Sequence, residues 1–96
     1  MPVSVPKRVK IGGITIKVLV ESDLDSWGEY RSDDCVIALS ARACESEKTM
    51  RETLRHEMIH AALDISGLTY SQTYCEEAIV RCLDRLLFPA LEKIKI

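Results

Sequence analysis

The sequence predicts one α+β domain: a small N-terminal sheet of three to four strands, antiparallel or mixed, packed on a long helix that is followed by a C-terminal helix. Three observations carry this expectation. Ile14, Ile16, Val18 and Val20 alternate with a period of two directly after a glycine pair, the pattern of a half-buried strand. Met50, Leu54, Met58, Ala61, Ala62 and Ile65 recur at helical spacing, so they share one face. Ile79, Val80, Leu83, Leu86 and Leu87 repeat that spacing further on. With 96 residues, residues 1–96 are expected to form a single domain around one small core.

The elements follow in order. Residues 7–20 read as a hairpin, with Val9 and Ile11 before Gly12-Gly13 and the alternating run after it. Two consecutive glycines supply the positive φ angles that a two-residue hairpin turn demands. The apolar face of the second strand is expected to cover a helix. Residues 22–26 form a polar loop, after which 27–31 and 35–39 are expected to pair across Ser32, Asp33 and Asp34. Cys35, Val36, Ile37, Ala38 and Leu39 are apolar enough for a central strand. The first helix has a start signal in Thr49 with Glu52 three residues later, with Ser46 an earlier alternative cap. Gly67 is placed to end it. Ser71 is placed to cap a second helix, which stops near Pro89.

Composition narrows the function classes. The chain is 47% hydrophobic and 29% charged, which excludes extended disorder. Its net charge is −2 and its basic residues are spread along the chain, so no nucleic-acid partner is expected. The N-terminus lacks the apolar core of a signal peptide, and no apolar run approaches the roughly 20 residues that span a bilayer. A cytoplasmic protein without a membrane partner is therefore expected. Cys35, Cys44, Cys75 and Cys82 contain no C-x2-C pair and are expected to be free thiols, with Cys75 and Cys82 as small buried side chains.

The chemistry concentrates in His56-Glu57-Met58-Ile59-His60. The two histidines are one helical turn apart, so two imidazoles can share one ion. Zinc takes imidazole nitrogen readily, and a catalytic site supplies three protein ligands and keeps a fourth position for water. Glu57 is placed to take a proton from that water. Such a string arises by chance in well under about 1% of chains this short, and it contains both histidines of the sequence. The third ligand is expected from Glu76 or Glu77 at the start of the second helix. Helical phase puts Glu76 with Ile79, Val80, Leu83 and Leu87, and Glu77 with Arg81 and Asp84 on the polar side. An acid on an apolar face is costly unless paired or metal-bound, which ranks Glu76 first and keeps Glu77 as the alternative.

The H-E-M-I-H helix followed by Cys75-Glu76-Glu77-Ala78-Ile79-Val80 resembles the gluzincin branch of zinc metallopeptidases. Within that branch the likeness is to small phage-type metallopeptidases and, more loosely, to ImmA/IrrE-type peptidases of mobile-element regulation. The resemblance implies a minimal zincin-like fold, zinc (Zn2+) on His56, His60 and one glutamate of the pair, and Glu57 as general base in peptide-bond hydrolysis. It implies a protein or peptide substrate and, for a phage-encoded chain, the host cytoplasm. Thermolysin-type members carry N-E-A-I-S-D at this point, an alignment that favours Glu77 and puts Arg81 where they hold an acid against a ligand histidine. The family further implies an edge strand before the helix that binds extended peptide by β-augmentation, supplied by residues 27–31 or 35–39. Tyr70, Tyr74 or Tyr30 is then expected to stabilise transition-state charge, and Asp64, one turn after His60, is in reach of a ligand. Two rival readings stand beside this one: a regulatory or interaction protein with a structural or inactive zinc site, closed by a further ligand such as Cys75, and a metal-free interaction module.

Overall fold

In a computed structural model, which describes residues 3–67 and 75–93, the chain forms a four-stranded mixed sheet covered on one face by a long helix. Strands β1 (Arg8–Ile11) and β2 (Ile14–Glu21) are the expected antiparallel hairpin. Gly12 and Gly13 make its turn at φ 56° and 80°, a left-handed pair that side chains with a Cβ resist. Strands β3 (Gly28–Arg31) and β4 (Val36–Ser40) pair antiparallel as expected.

The order in the sheet is β1-β2-β4-β3. β4 lies parallel to β2, with Val18 opposite Ile37 and Val20 opposite Leu39, and β3 is left at the edge. Every residue of β4 is buried, as befits the central apolar strand. On the face away from the helix, Arg31 of β3 reaches across β4 to Glu21 of β2 with two bonds of 2.8 and 2.9 Å, and its Nε donates to Glu29 at 2.5 Å. Beneath this bridge β4 presents small Ala38, which is fully buried.

Helix α1 (Glu47–Ile65) crosses the other face. Ile16 and Val18 of β2 and Ile37 and Leu39 of β4 meet Met50, Leu54 and Ala61 of α1 in the main core. Ile14 and Val20, at the ends of the same β2 face, remain 40% and 48% exposed, because the helix is narrower than the strand is long. The helix start differs from the stronger signal: Ser46 is the cap, its Oγ accepting from the Thr49 backbone N–H at 3.3 Å. Thr49 instead lies inside the first turn, since a 3-10 turn (Ala43–Glu45) delivers the chain to Ser46 directly. Gly67 follows the C-cap Ser66 at φ 85°, where glycine was expected.

The C-terminal segment comprises α2 (Glu76–Cys82), a π-helical turn (Leu83–Leu87) and α3 (Phe88–Lys93). Expected cap Ser71 lies outside the described residues. The helical path does not stop at Pro89. The Phe88 N–H bonds the Leu83 carbonyl across the wider turn, and Pro89 falls in the first turn of α3 directly after it, the part of a helix that tolerates proline best. The wide turn also rotates the phase, which leaves Leu86 69% and Leu87 43% exposed rather than in the predicted apolar face. Among the described residues Val80 alone is fully buried there; it meets Ile59 and Leu63 of α1, flanked by Ile79, Leu83 and Phe88.

The cysteines correct a second expectation. All four are free thiols, but Cys75 and Cys82 are exposed. Cys75 precedes α2, and Cys82, two residues beyond Val80, falls on the opposite side of the helix. Among the described residues no helix is long and apolar enough to cross a membrane.

Candidate metal centre

His56, Glu57 and His60 occupy the middle of α1, where the helix passes beneath β3. Buried Leu54, Ile59, Ala61 and Leu63 hold this stretch against the sheet and the C-terminal segment, so the two histidines emerge between those elements, half-buried. Their rings stand 5.1 Å apart, tilted by 60°.

Each ring is held by a carboxylate from the C-terminal segment. His56 Nδ1 contacts Asp84 Oδ2, and His60 Nδ1 lies 2.7 Å from Glu76 Oε1. A carboxylate accepts and does not donate, so each contact calls for a proton on Nδ1 and turns Nε2 the other way. On that other side, His60 Nε2 lies 3.1 Å from Glu77 Oε1. His56, His60 and Glu77 each present a donor atom within 4.8 Å of the others'. Two imidazoles and one carboxylate, gathered this closely with both rings pre-oriented, fit a divalent cation.

Both predicted glutamates therefore meet His60, from opposite sides. Helical phase describes Glu76 correctly as the more buried of the two, with 26% against 61% of the side chain exposed. Position relative to α1, which periodicity does not carry, is what groups the Glu77 carboxylate with both histidines. Asp84 went unnoticed as a site residue for the same reason. Its place seven residues after Glu77, about two helical turns, puts it on the same side of the segment but does not by itself bring it to His56. Arg81, four after Glu77, is exposed and its Nε donates to the Glu77 carbonyl at 3.2 Å.

Glu57 is 7% exposed. Burial pushes its carboxyl above the usual range, against the opposing pull of His56 and His60. It lines two clefts that meet at Gly28 of β3. One, of about 490 Å3, runs past Trp27, Glu52, His56 and Asp84. The other, of about 430 Å3, runs past Tyr30, His60, Asp64 and Glu76. Gly28 is what lets strand and helix come so close: a Cβ there would stand 2.8 Å from Thr53 Cγ2, 3.1 Å from the Ala38 carbonyl and 3.4 Å from Glu57 Cγ.

Of the tyrosines considered as donors, Tyr70 and Tyr74 lie outside the described residues. Tyr30 faces the second cleft, and its hydroxyl donates to Asp64 Oδ2 at 2.8 Å. Asp64 is thus tied to β3. Cys75 is exposed and is not a member of the His56, His60 and Glu77 group.

Residues 11–73, well over half of the chain, match the SprT-like family. The chain belongs to that family. SprT-like domains are metallopeptidase-like, in keeping with the histidine-glutamate pattern on α1. The matched stretch runs from the last residue of β1 through α1 and ends before Glu76, so it spans His56, Glu57 and His60, while the carboxylates of the C-terminal segment lie outside it. No curated protein and no solved structure matches the chain.

Proposed function

We propose that this SprT-like chain is a zinc-dependent peptidase in which His56, His60 and Glu77 hold the ion and Glu57 is the general base. The observation that carries the reading is the convergence of three donor atoms within 4.8 Å beside a buried glutamate. Glu77 takes the third place here because its carboxylate is the one gathered with both rings; Glu76 is engaged on the far nitrogen of His60. Zinc bound there supplies Lewis acidity, drawing the pKa of water towards about 7 and polarising a carbonyl oxygen.

The remaining work falls to the chain. Among the described residues β3 ends the sheet, the position at which an extended peptide would add as a further strand and be laid across Gly28. That places a scissile carbonyl over Glu57 and the histidines. Glu57 takes the proton of the attacking water and passes it to the leaving amine nitrogen. Its burial raises its proton affinity, which suits the first half of that transfer.

The test is Glu57→Gln. It is expected to keep one zinc per chain by elemental analysis while cleavage of unstructured protein substrates falls by about 10^2 to 10^4-fold. A variant that cleaves as fast as wild type removes Glu57 from the mechanism. His56→Ala is expected to lose the zinc itself.

A further inference from the structure

We infer that Asp84 is a positioning residue: it fixes the ring of His56 with the proton on Nδ1, so that Nε2 is the nitrogen offered to the ion. The inference rests on the metal-centre reading for its purpose, and on contacts within the chain for its substance. Asp84 Oδ2 meets His56 Nδ1, the side chains being 22% and 33% exposed, respectively. Nothing else described competes for that nitrogen. The acid is presented by the π-helical turn Leu83–Leu87, a rare geometry that recurs where a side chain must be aimed. Arg81, one turn earlier, is exposed and bonded to the Glu77 carbonyl of its own helix; Asp84 is the acid that reaches His56.

A ligand histidine whose second nitrogen donates to a carboxylate is locked in tautomer and orientation and is more basic towards metal. Glu76 stands in the same relation to His60. One segment thus contributes the third donor and the partners of both rings. Removing Asp84 frees His56 to rotate and to carry its proton on Nε2, where it blocks coordination.

The chain has only two histidines, which makes the test direct. Nitrogen-15 spectra of the metal-free protein at alkaline pH are expected to place the His56 ring proton on Nδ1. In Asp84→Ala the proton moves to Nε2 while the His60 signals stay in place. Asp84→Asn, which keeps an acceptor, retains the wild-type tautomer. In chelator competition Asp84→Ala is expected to bind zinc about 10 to 100-fold more weakly, with Asp84→Asn in between. Unchanged His56 signals in Asp84→Ala overturn the inference, as does unchanged zinc affinity. So does a change in both rings together, which marks general repacking. Wild-type protein that shows the Nδ1 pairing but takes up no zinc sinks the peptidase reading and leaves the pairing standing.

Discussion

The sheet with α1 and the C-terminal segment are built in different ways. In the first, seven buried residues from β2, β4 and α1 interlock, and apolar area removed from water supplies the stability. In the second, Val80 is the one fully buried side chain among the described residues, and much of the docking onto α1 is polar: Asp84 to His56, Glu76 and Glu77 to His60, and Arg55 to Glu92 at 2.7 Å, with the same guanidinium over the Phe88 ring at 4.7 Å. One region makes the fold. The other completes the site, and does so through groups whose attraction depends on what the histidines hold.

Substitutions in the two regions should separate accordingly. Ile37→Ala, at a fully buried position of β4, is expected to cost about 2 to 5 kcal/mol in global unfolding, measured by urea denaturation; a loss confined to metal affinity would erase the distinction. Gly28→Ala pushes a methyl group against Thr53 and the Ala38 carbonyl and is expected to cost about 1 to 3 kcal/mol, with a larger drop in peptide cleavage than in zinc content, because β3 is displaced from Glu57. Val80→Ala is expected to cost about 1 to 2 kcal/mol, expressed as faster amide exchange in α2 and weaker zinc binding while the exchange of β2 and β4 holds. Equal acceleration in both regions would show one cooperative unit.

The smallest effect concerns pH. The Arg31 guanidinium bonded to Glu21 holds that carboxyl below the usual carboxylate range. A lowered folded-state pKa stabilises the fold above the unfolded value, near about 4.3 for glutamate, and the contribution is lost as pH falls through the folded value. Each side chain is about a third exposed, so solvent screens the pair and the gain is modest. Arg31→Ala is expected to lower Tm slightly at pH 7 and to leave it equal to wild type at pH 2; an equal deficit at both values would mean that Arg31 acts by packing alone.

Legibility in the sequence divides along the same line. The hairpin, the pairing of the next two strands, the central place of residues 36–40 and the reach of α1 all follow from periodicity and glycine position, which are local. His56, Glu57 and His60 are equally local, since a five-residue string on a helix fixes their spacing. The parallel pairing of β2 with β4 is not, because the chain must first run out to β3 and return. Nor is the role of Asp84 or the grouping of Glu77, since both depend on how α2 is laid against α1. The π-helical turn defeated the phase argument for Leu86 and Leu87 outright: one extra residue in a turn is invisible to a 3.6-residue period.

Trp27 brings a practical consequence. It is the sole tryptophan of the chain, 52% exposed, with Arg42 stacked on it at 5.2 Å, and it forms part of the cleft wall next to Gly28. Its intrinsic emission therefore originates beside the proposed peptide path. A peptide settling along β3 is expected to alter the solvent around the indole, so occupancy of the cleft can be followed optically without a label, including in the Glu57→Gln protein, whose turnover is expected to be slow.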